Sequence, residues 1–306
     1  MSPRLAVLLA AVLFGTTGTA QALGPDGTAP LAVGAARILV GAALLALVAR
    51  GIAARAPVAW DRRVLAVSGV CVALYQVSFF VAVDRTGVAV GTVVAIGSGP
   101  AFAGLLARAL DGEELTRRWA TATALAAAGV GLLVAGSGGA QVDPAGVALA
   151  LVSGLGYAGY TVGAKRLLRA GHAPEAVMAW AFGIGALVLV PVLAASAGAW
   201  LATPAGLGLV LYLGALPTAL AYVLFARGLQ QLGAGETATL TLAEPLTAAA
   251  LGIVVLGESP TALTAAGAGL VLAGLAVLAL RADGGRRPER PAVAVAGEGG
   301  PAATIP

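Results

Sequence analysis

Long apolar runs alternate along this chain with short polar breaks, and the apolar runs recur ten times. They cover residues 4–23, 30–49, 64–83, 88–110, 119–136, 145–164, 175–197, 206–226, 235–256 and 261–280. Each is close to the ~20 residues an α-helix needs to cross a hydrocarbon core of ~30 Å. The breaks carry turn chemistry, as in Gly24-Pro25-Asp26-Gly27, Ser137-Gly138-Gly139 and Gly257-Glu258-Ser259-Pro260. The pattern predicts an all-α membrane protein of ten transmembrane helices. Residues 282–306 hold Gly, Pro, Ala and charge without a period, and are expected to form a disordered cytoplasmic tail.

Composition removes the alternatives to a membrane fold. Of 306 residues, 59% are hydrophobic and only 10% charged, and the mean hydropathy is +0.95. A soluble domain carries roughly 25% charged residues, so a cytosolic enzyme, a disordered chain and a secreted disulfide scaffold are all excluded. Cys71 is the single cysteine and His172 the single histidine. No internal disulfide, zinc cluster or Cys/His dyad can be built from them. The first run, with Arg4 before it and Ala20-Gln21-Ala22 after it, imitates a signal peptide. Its apolar stretch exceeds the ~7–15 residues of a signal core, so it is expected to stay as the first helix.

Charge then sets an expected orientation. The net charge of +4 does not indicate nucleic-acid binding, because the 18 basic residues sort to one side of the membrane. With the N-terminus inside, 16 of them fall in inside loops or at inside helix ends, from Arg4 through Lys165 to Arg290. Arg85 alone falls outside, and Arg37 lies within a span. The positive-inside bias places both termini in the cytoplasm of an inner (plasma) membrane protein.

The sequence also repeats itself at an offset near 145. Pro100 falls on Pro245, Gly112-Glu113 on Gly257-Glu258, and Gly129 on Gly274. At an offset of 144, Ala29-Pro30-Leu31-Ala32-Val33 meets Ala173-Pro174-Glu175-Ala176-Val177. The expected organisation is a five-helix repeat over 1–136, an external linker over 137–143 and a second five-helix repeat over 144–281. Five is odd, so the second copy enters the membrane from the opposite side. Inverted repeats of this kind place a substrate site near the midplane of secondary transporters.

These residues resemble the EamA-type carriers of the drug/metabolite transporter superfamily. Leu213-Gly214-Ala215-Leu216-Pro217-Thr218-Ala219-Leu220-Ala221-Tyr222 is similar to the family's eighth helix, and Gly228-Leu229-Gln230-Gln231-Leu232-Gly233-Ala234 to its linker into helix nine. Leu242-Ala243-Glu244-Pro245, Leu256-Gly257-Glu258 and Gly267-Ala268-Gly269-Leu270 with Gly274 resemble helices nine and ten. In the first half Ala36-Arg37-Ile38, Ile96-Gly97-Ser98-Gly99-Pro100 and Leu110-Asp111-Gly112-Glu113 fit the pattern. Leu13-Phe14-Gly15-Thr16 departs from it, standing where the family usually has a Trp-Gly pair.

The candidate pathway residues are few because polar groups in the spans are few. Glu244 lies nine residues into its run, about 13 Å along at ~1.5 Å per residue. A carboxylate there costs at least ~2.5 kcal/mol unless it faces a cavity or a partner, so it is a proton or substrate contact or an acceptor bracing the next helix. Pro100 and Pro245 each free a carbonyl one turn earlier, which a bilayer tolerates only against protein or water. Repeat-related kinks lining the pathway are expected. Arg37 either braces the two halves or binds an anionic group. Tyr75, Gln76, Tyr157, Tyr160, Tyr212, Thr218 and Tyr222 complete the polar set, with Thr218 and Tyr222 spaced i, i+4 to share a face. Helices five and ten are rich in small residues and lack central polar groups, so they are expected at the periphery, with the other eight walling the pocket.

The resemblance implies a secondary active transporter that moves a small organic solute such as an amino acid, metabolite or drug. Export by alternating access is the implied direction, with proton coupling and exchange both open, and a homodimer is compatible with it. The partners are the solute, protons and the lipid bilayer; no nucleic acid, metal or cofactor is expected. A lipid-linked sugar flippase of the same superfamily is the alternative within transport, though such chains tend to be much shorter. An intramembrane enzyme would need a nucleophile with its base, or a metal cluster, within the spans, and no His, Asp or Lys lies deep in any run. A non-transporting scaffold is the remaining alternative, and the short tail offers it no effector domain.

Overall fold

The computed structural model describes residues 1–51, 59–135, 143–257 and 259–279. It contains ten helices long and apolar enough to cross a membrane: α1 (Pro3–Ala22), α2 (Pro30–Arg50), α3 (Arg62–Gly87), α4 (Val90–Asp111), α5 (Arg117–Ala135), α6 (Pro144–Arg169), α7 (Pro174–Ser196), α8 (Pro204–Gln231), α9 (Ala234–Leu256) and α10 (Ala262–Ala279). No strand occurs among the described residues. The expected linker residues 137–142, Glu258, Arg55 and the tail from 280 onward lie outside the described residues.

Local chemistry explains where the helices begin. Proline opens α1, α2, α6, α7 and α8, where its missing N–H is one of the four a helix leaves unpaired. Ser2, Asp61, Asp143 and Thr203 cap α1, α3, α6 and α8 through their side-chain oxygens. Gly112 and Gly257 end α4 and α9 in the left-handed conformation, with φ of 68° and 72°. The two repeat-related glycines therefore both end helices.

Two boundaries differ from the sequence reading. The segment 84–87 is helical, and α3 reaches Gly87, whose φ of 77° turns the chain directly into α4. A Cβ on Gly91 would lie 3.0 Å from the Val83 backbone, so the two helices fold back on each other at once. Residues 228–231, similar to a linker in sequence, remain helical, and α8 passes to α9 through Leu232 and Gly233 alone.

The packing reproduces the repeat. The first helix of each half lies against the third and fourth of the other. A Cβ on Gly15 of α1 would meet Thr247 Cβ of α9 at 2.6 Å, and one on Gly228 of α8 would meet Val7 of α1. Correspondingly, Gly154 and Gly156 of α6 abut Ala95 of α4 and Tyr75 of α3. The second helices, α2 and α7, pack together, and so do the fifth helices, α5 and α10. In the last pair a Cβ on Gly129 would lie 2.6 Å from the Val271 backbone, a separation that only glycine permits.

One end of the bundle is tied by charge. Arg166 pairs with Asp111 at 2.7 Å, Arg169 with Glu113 at 2.7 Å and Arg4 with Glu236 at 2.9 Å, each joining one half to the other. Arg227 pairs with Glu175 at 2.6 Å within the second half. At the opposite end Arg85 meets Asp143 at 3.5 Å, and both side chains are exposed.

Candidate functional site

The site is a cavity of about 110 Å³ between the halves. Seven helices wall it, namely α1, α2, α3, α4, α6, α8 and α9. As expected, α5 and α10 contribute nothing. The expectation of eight walls is corrected at α7, whose Phe182 stands one layer back, with its ring 4.1 Å from that of Tyr222.

Of the sequence candidates, Glu244, Pro100, Arg37, Tyr75, Gln76, Tyr157 and Tyr222 all line this cavity. Pro245 and Thr218 do not. The carbonyl that Pro245 would have bonded is Thr241's, and the Glu244 N–H takes it at 2.9 Å. The proline thus breaks α9 at Thr241-Leu242 into Ala234–Leu240 and Ala243–Leu256 without itself facing the cavity. Glu244 sits in the first turn of the second piece, where the helix dipole favours a carboxylate. The carbonyl freed by Pro100 is that of Ile96, which belongs to the cavity wall.

Thr218 does not reach the cavity: it is fully buried within a π-helical turn, Ala215–Leu220 of α8. The cause is Pro217, which cannot donate to Leu213; the Thr218 hydroxyl donates to that carbonyl instead at 2.8 Å. Its methyl group packs where a Gly41 Cβ would stand, so its role is to join α8 to α2. Tyr160 is fully buried behind the wall, and Tyr212 faces outward.

The remaining wall residues gave little sequence signal. Phe14, Phe79, Ser153 and Thr241 line the cavity, and small hydroxyls or lone phenylalanines in a span read as packing. Thr241 alone had a usable cue, since it precedes Glu244 by three residues on one helix face. Phe14 occupies the position at which helix one departs from the family pattern. Its ring lies 4.9 Å from that of Tyr222, while Gly15 beside it admits the Glu244 backbone.

The polar groups are held in fixed pairs. Tyr75 and Tyr222 share a hydrogen bond between hydroxyls at 3.1 Å, across the two halves. The Tyr157 and Thr241 hydroxyls lie 3.0 Å apart, and Thr241 donates onward to the Ala238 carbonyl at 2.7 Å. Ser153 donates to the Tyr75 carbonyl at 2.9 Å. Arg37 Nη2 donates to Gln76 Oε1 at 3.2 Å. Arg37 Nε and Gln76 Nε2, both buried, have no acceptor. No described side chain donates to the Glu244 carboxylate within 3.5 Å, and no ion pair within 4.0 Å joins it to Arg37.

The two charges come from opposite halves and neither is repeated. At the repeat offsets, Arg37 corresponds to Ala181 and Glu244 to Gly99. A Cβ on Gly99 would lie 3.2 Å from the Tyr157 ring, so the mate of Glu244 is a seat for a tyrosine. The fold is doubled, and the chemistry of its site is not.

Comparison with known proteins accords with this geometry. Residues 1–135 and residues 144–280 each match the EamA-like transporter family. The chain belongs to that family. It is 45% identical over 255 residues to the uncharacterized transporter YwfM of Bacillus subtilis (strain 168), covering 83% of this chain and 86% of that one. It is 29% identical over 265 residues to a probable terminal-alkyne amino-acid exporter of Streptantibioticus cattleyicolor, covering 84% of this chain and 86% of the relative. A solved crystal structure shares the fold with a TM-score of 0.77 and 23% identity, over 91% of this chain and 98% of the other. The protein is a multi-pass membrane transporter of this family, with two repeats of five helices.

Proposed function

We propose that this EamA-family protein exports a small organic solute across the inner (plasma) membrane by alternating access of its two halves, with both termini in the cytoplasm. The functional units are residues 1–136 and 144–281, joined by the linker 137–143. The observation that carries this reading is the central cavity, where Arg37 and Glu244 face one space from opposite halves. Two charges held without an ion pair in the core of a membrane protein are costly, and such groups mark substrate and ion paths. The discontinuous α9 supports it as well, since broken helices at a repeat interface form transporter binding sites. Export draws support from the relative named as an exporter. An enzymatic reading has no nucleophile–base pair lining this cavity to rest on.

Glu244 is proposed to carry the coupling proton. The test uses purified protein in liposomes loaded with a mixture of amino acids, organic acids and amines, under an imposed pH gradient. Mass spectrometry of the lumen should record net gradient-driven movement of at least one solute. Glu244→Gln should insert and fold normally, lose uphill transport and retain solute exchange. Gradient-driven flux from Glu244→Gln at the parental rate would remove the proton role. Absence of flux of every solute from the parent would overturn the transport reading itself.

A further inference from the structure

We infer that a groove between α1, α9 and α10 is a binding site for one anionic phospholipid, with its phosphate held at Arg4 and an acyl chain laid along the groove. The site is separate from the central cavity, and only its assignment to the cytoplasmic leaflet rests on the proposed orientation. The groove has a volume of about 420 Å³. Arg4, Leu8 and Val12 line it from α1 at i, i+4 and i+8, and Leu272, Ala276 and Ala279 line it from α10 at helical spacing. Apart from Arg4 and Thr247, every residue of the lining is apolar. The Thr247 hydroxyl donates to the Ala243 carbonyl of its own helix at 3.0 Å, so it offers the groove no free donor.

The length of the groove fits one leaflet. From Arg4 to Val12, α1 rises about 12 Å at ~1.5 Å per residue, against ~15 Å for half of a ~30 Å hydrocarbon core. Val12 and Leu272 are exposed, so the groove opens on the outer face of the bundle, where lipid chains lie. Its occupant touches Leu240 and Ala243, which flank the break in α9. One chain therefore bridges the two pieces of the helix that carries Glu244.

Charge selects the headgroup. Arg4 donates through Nε to Glu236 at 2.9 Å and through Nη1 to the Ala279 carbonyl at 3.4 Å, while its Nη2 has no partner among the described residues. Arg118 reaches the same end of α10, donating through Nε to the Val277 carbonyl at 2.7 Å and through Nη2 to that of Leu278. It pairs with no carboxylate among the described residues. Two guanidinium charges thus stand against one carboxylate, and the excess is positive. Basic pockets between transmembrane helices on the cytoplasmic side bind anionic headgroups, and a phosphate takes the charge-assisted hydrogen bond that a free guanidinium nitrogen offers. The same excess disfavours the other occupants. A second copy packed by two-fold symmetry sets the same patch against itself, like charge facing like. Residues 281–306 of this chain carry four arginines against three acidic residues, so they bring the wrong sign as well.

Native mass spectrometry of the full-length protein tests this, with detergent micelles doped equally with dioleoylphosphatidylglycerol and dioleoylphosphatidylcholine. The two lipids share their chains and differ in net charge. One phosphatidylglycerol should stay bound, at least about fivefold above phosphatidylcholine, which is the gain from one basic contact. Glycerol phosphate, which has the headgroup chemistry and no chains, should not displace it at equal concentration. Arg4→Gln should abolish the preference, and Glu236→Gln, which removes the competing carboxylate, should raise it. Ala276→Phe should fill the groove and cut the retention of both lipids without changing any charge. Should Arg4→Gln fail to fold, the parent's ratio and the opposite response of Glu236→Gln still decide. Equal retention of the two lipids by the parent overturns the inference, as does a preference that survives Arg4→Gln. Displacement by glycerol phosphate would mean a phosphate site without a chain, and a lipid-free dimer would mean that a second copy covers the groove; either result also overturns it.

Discussion

Arg37 and Glu244 line one cavity from opposite halves of the molecule and form no ion pair within 4.0 Å. The separation is maintained by what holds each side chain. Gln76 draws the guanidinium toward α3, and Gly34 beneath it leaves the space that the Gln76 amide and the Phe80 ring fill. Glu244 follows a break in α9, so its position is set by the turn at Thr241-Leu242.

The proposed orientation has a direct check in reporter fusions. Fusions after Arg63, Arg118, Arg169 and Arg287 should report cytoplasm, and those after Asp26, Asp143 and Thr203 the outside. The short ion pairs between helices of the two halves, through Arg4, Arg166 and Arg169, gather at the end expected to be cytoplasmic, and the long, exposed Arg85–Asp143 pair lies at the other. A cytoplasmic signal at Asp143 would make the halves parallel and contradict the inverted repeat.

Ten helices were legible in the sequence because a bilayer admits few structures: apolar runs of the right length must form helices. The repeat was legible because prolines and glycines that shape the backbone recur at one offset, as Pro100 and Pro245 do. The lining of the cavity was legible where a residue was too polar to face lipid, as with Arg37, Gln76 and Glu244, or freed a carbonyl within a span, as with Pro100. Thr218 shows the limit. Spacing of i, i+4 puts it beside Tyr222 on an ideal helix, yet its hydroxyl is taken by the Leu213 carbonyl that Pro217 leaves free and its methyl packs on Gly41. Phe14 and Ser153 were invisible for the opposite reason, since their side chains suit a packed interior equally well.

Thr218 therefore yields a prediction that separates structure from transport. Thr218→Val keeps the shape against Gly41 and leaves the Leu213 carbonyl without its hydroxyl donor. An unsatisfied buried acceptor costs about 1–3 kcal/mol, so the melting temperature should fall while the apparent affinity for solute stays at the parental value. A changed affinity at unchanged melting temperature would return Thr218 to the pathway.

Gly15 and Gly131 form a matched pair for testing the packing of helix one. A Cβ on Gly15 would lie 2.6 Å from Thr247 Cβ and 2.7 Å from the Glu244 carbonyl oxygen, whereas one on Gly131 meets nothing within 4 Å. Overpacking a close contact costs about 1–3 kcal/mol. Gly15→Ala should thus lower the melting temperature and impair transport by pushing α1 from α9. Gly131→Ala should leave both at parental levels. Equal behaviour of the two in thermal unfolding and flux would show that α1 and α9 separate freely.

The turn between α8 and α9 gives the last prediction, because it is held from two sides by residues whose side chains end in charge. Lys165, only 4% exposed, donates to the carbonyls of Leu229 at 2.7 Å, Gln230 at 3.1 Å and Leu232 at 2.7 Å. These are among the acceptors that the end of α8 leaves unpaired. Glu113, arriving from the α4–α5 connection, accepts from the Ala234 N–H at 3.1 Å and pairs with Arg169 at 2.7 Å. The first half thus caps the start of the helix that carries Glu244, and α6 caps the end of the one before it. Lys165→Met removes all three donors, and hydrogen bonds to charged groups are worth about 1.5–3 kcal/mol each in favourable cases. Amide hydrogen exchange over residues 228–236 should accelerate in Lys165→Met and in Glu113→Gln, with a lower melting temperature in both. Arg85→Ala is the control at the opposite end. Its ion pair with Asp143 is long and exposed, a kind worth about 0–1 kcal/mol, so exchange at the turn should not respond. If Lys165→Met leaves that exchange unchanged, backbone geometry alone holds the turn.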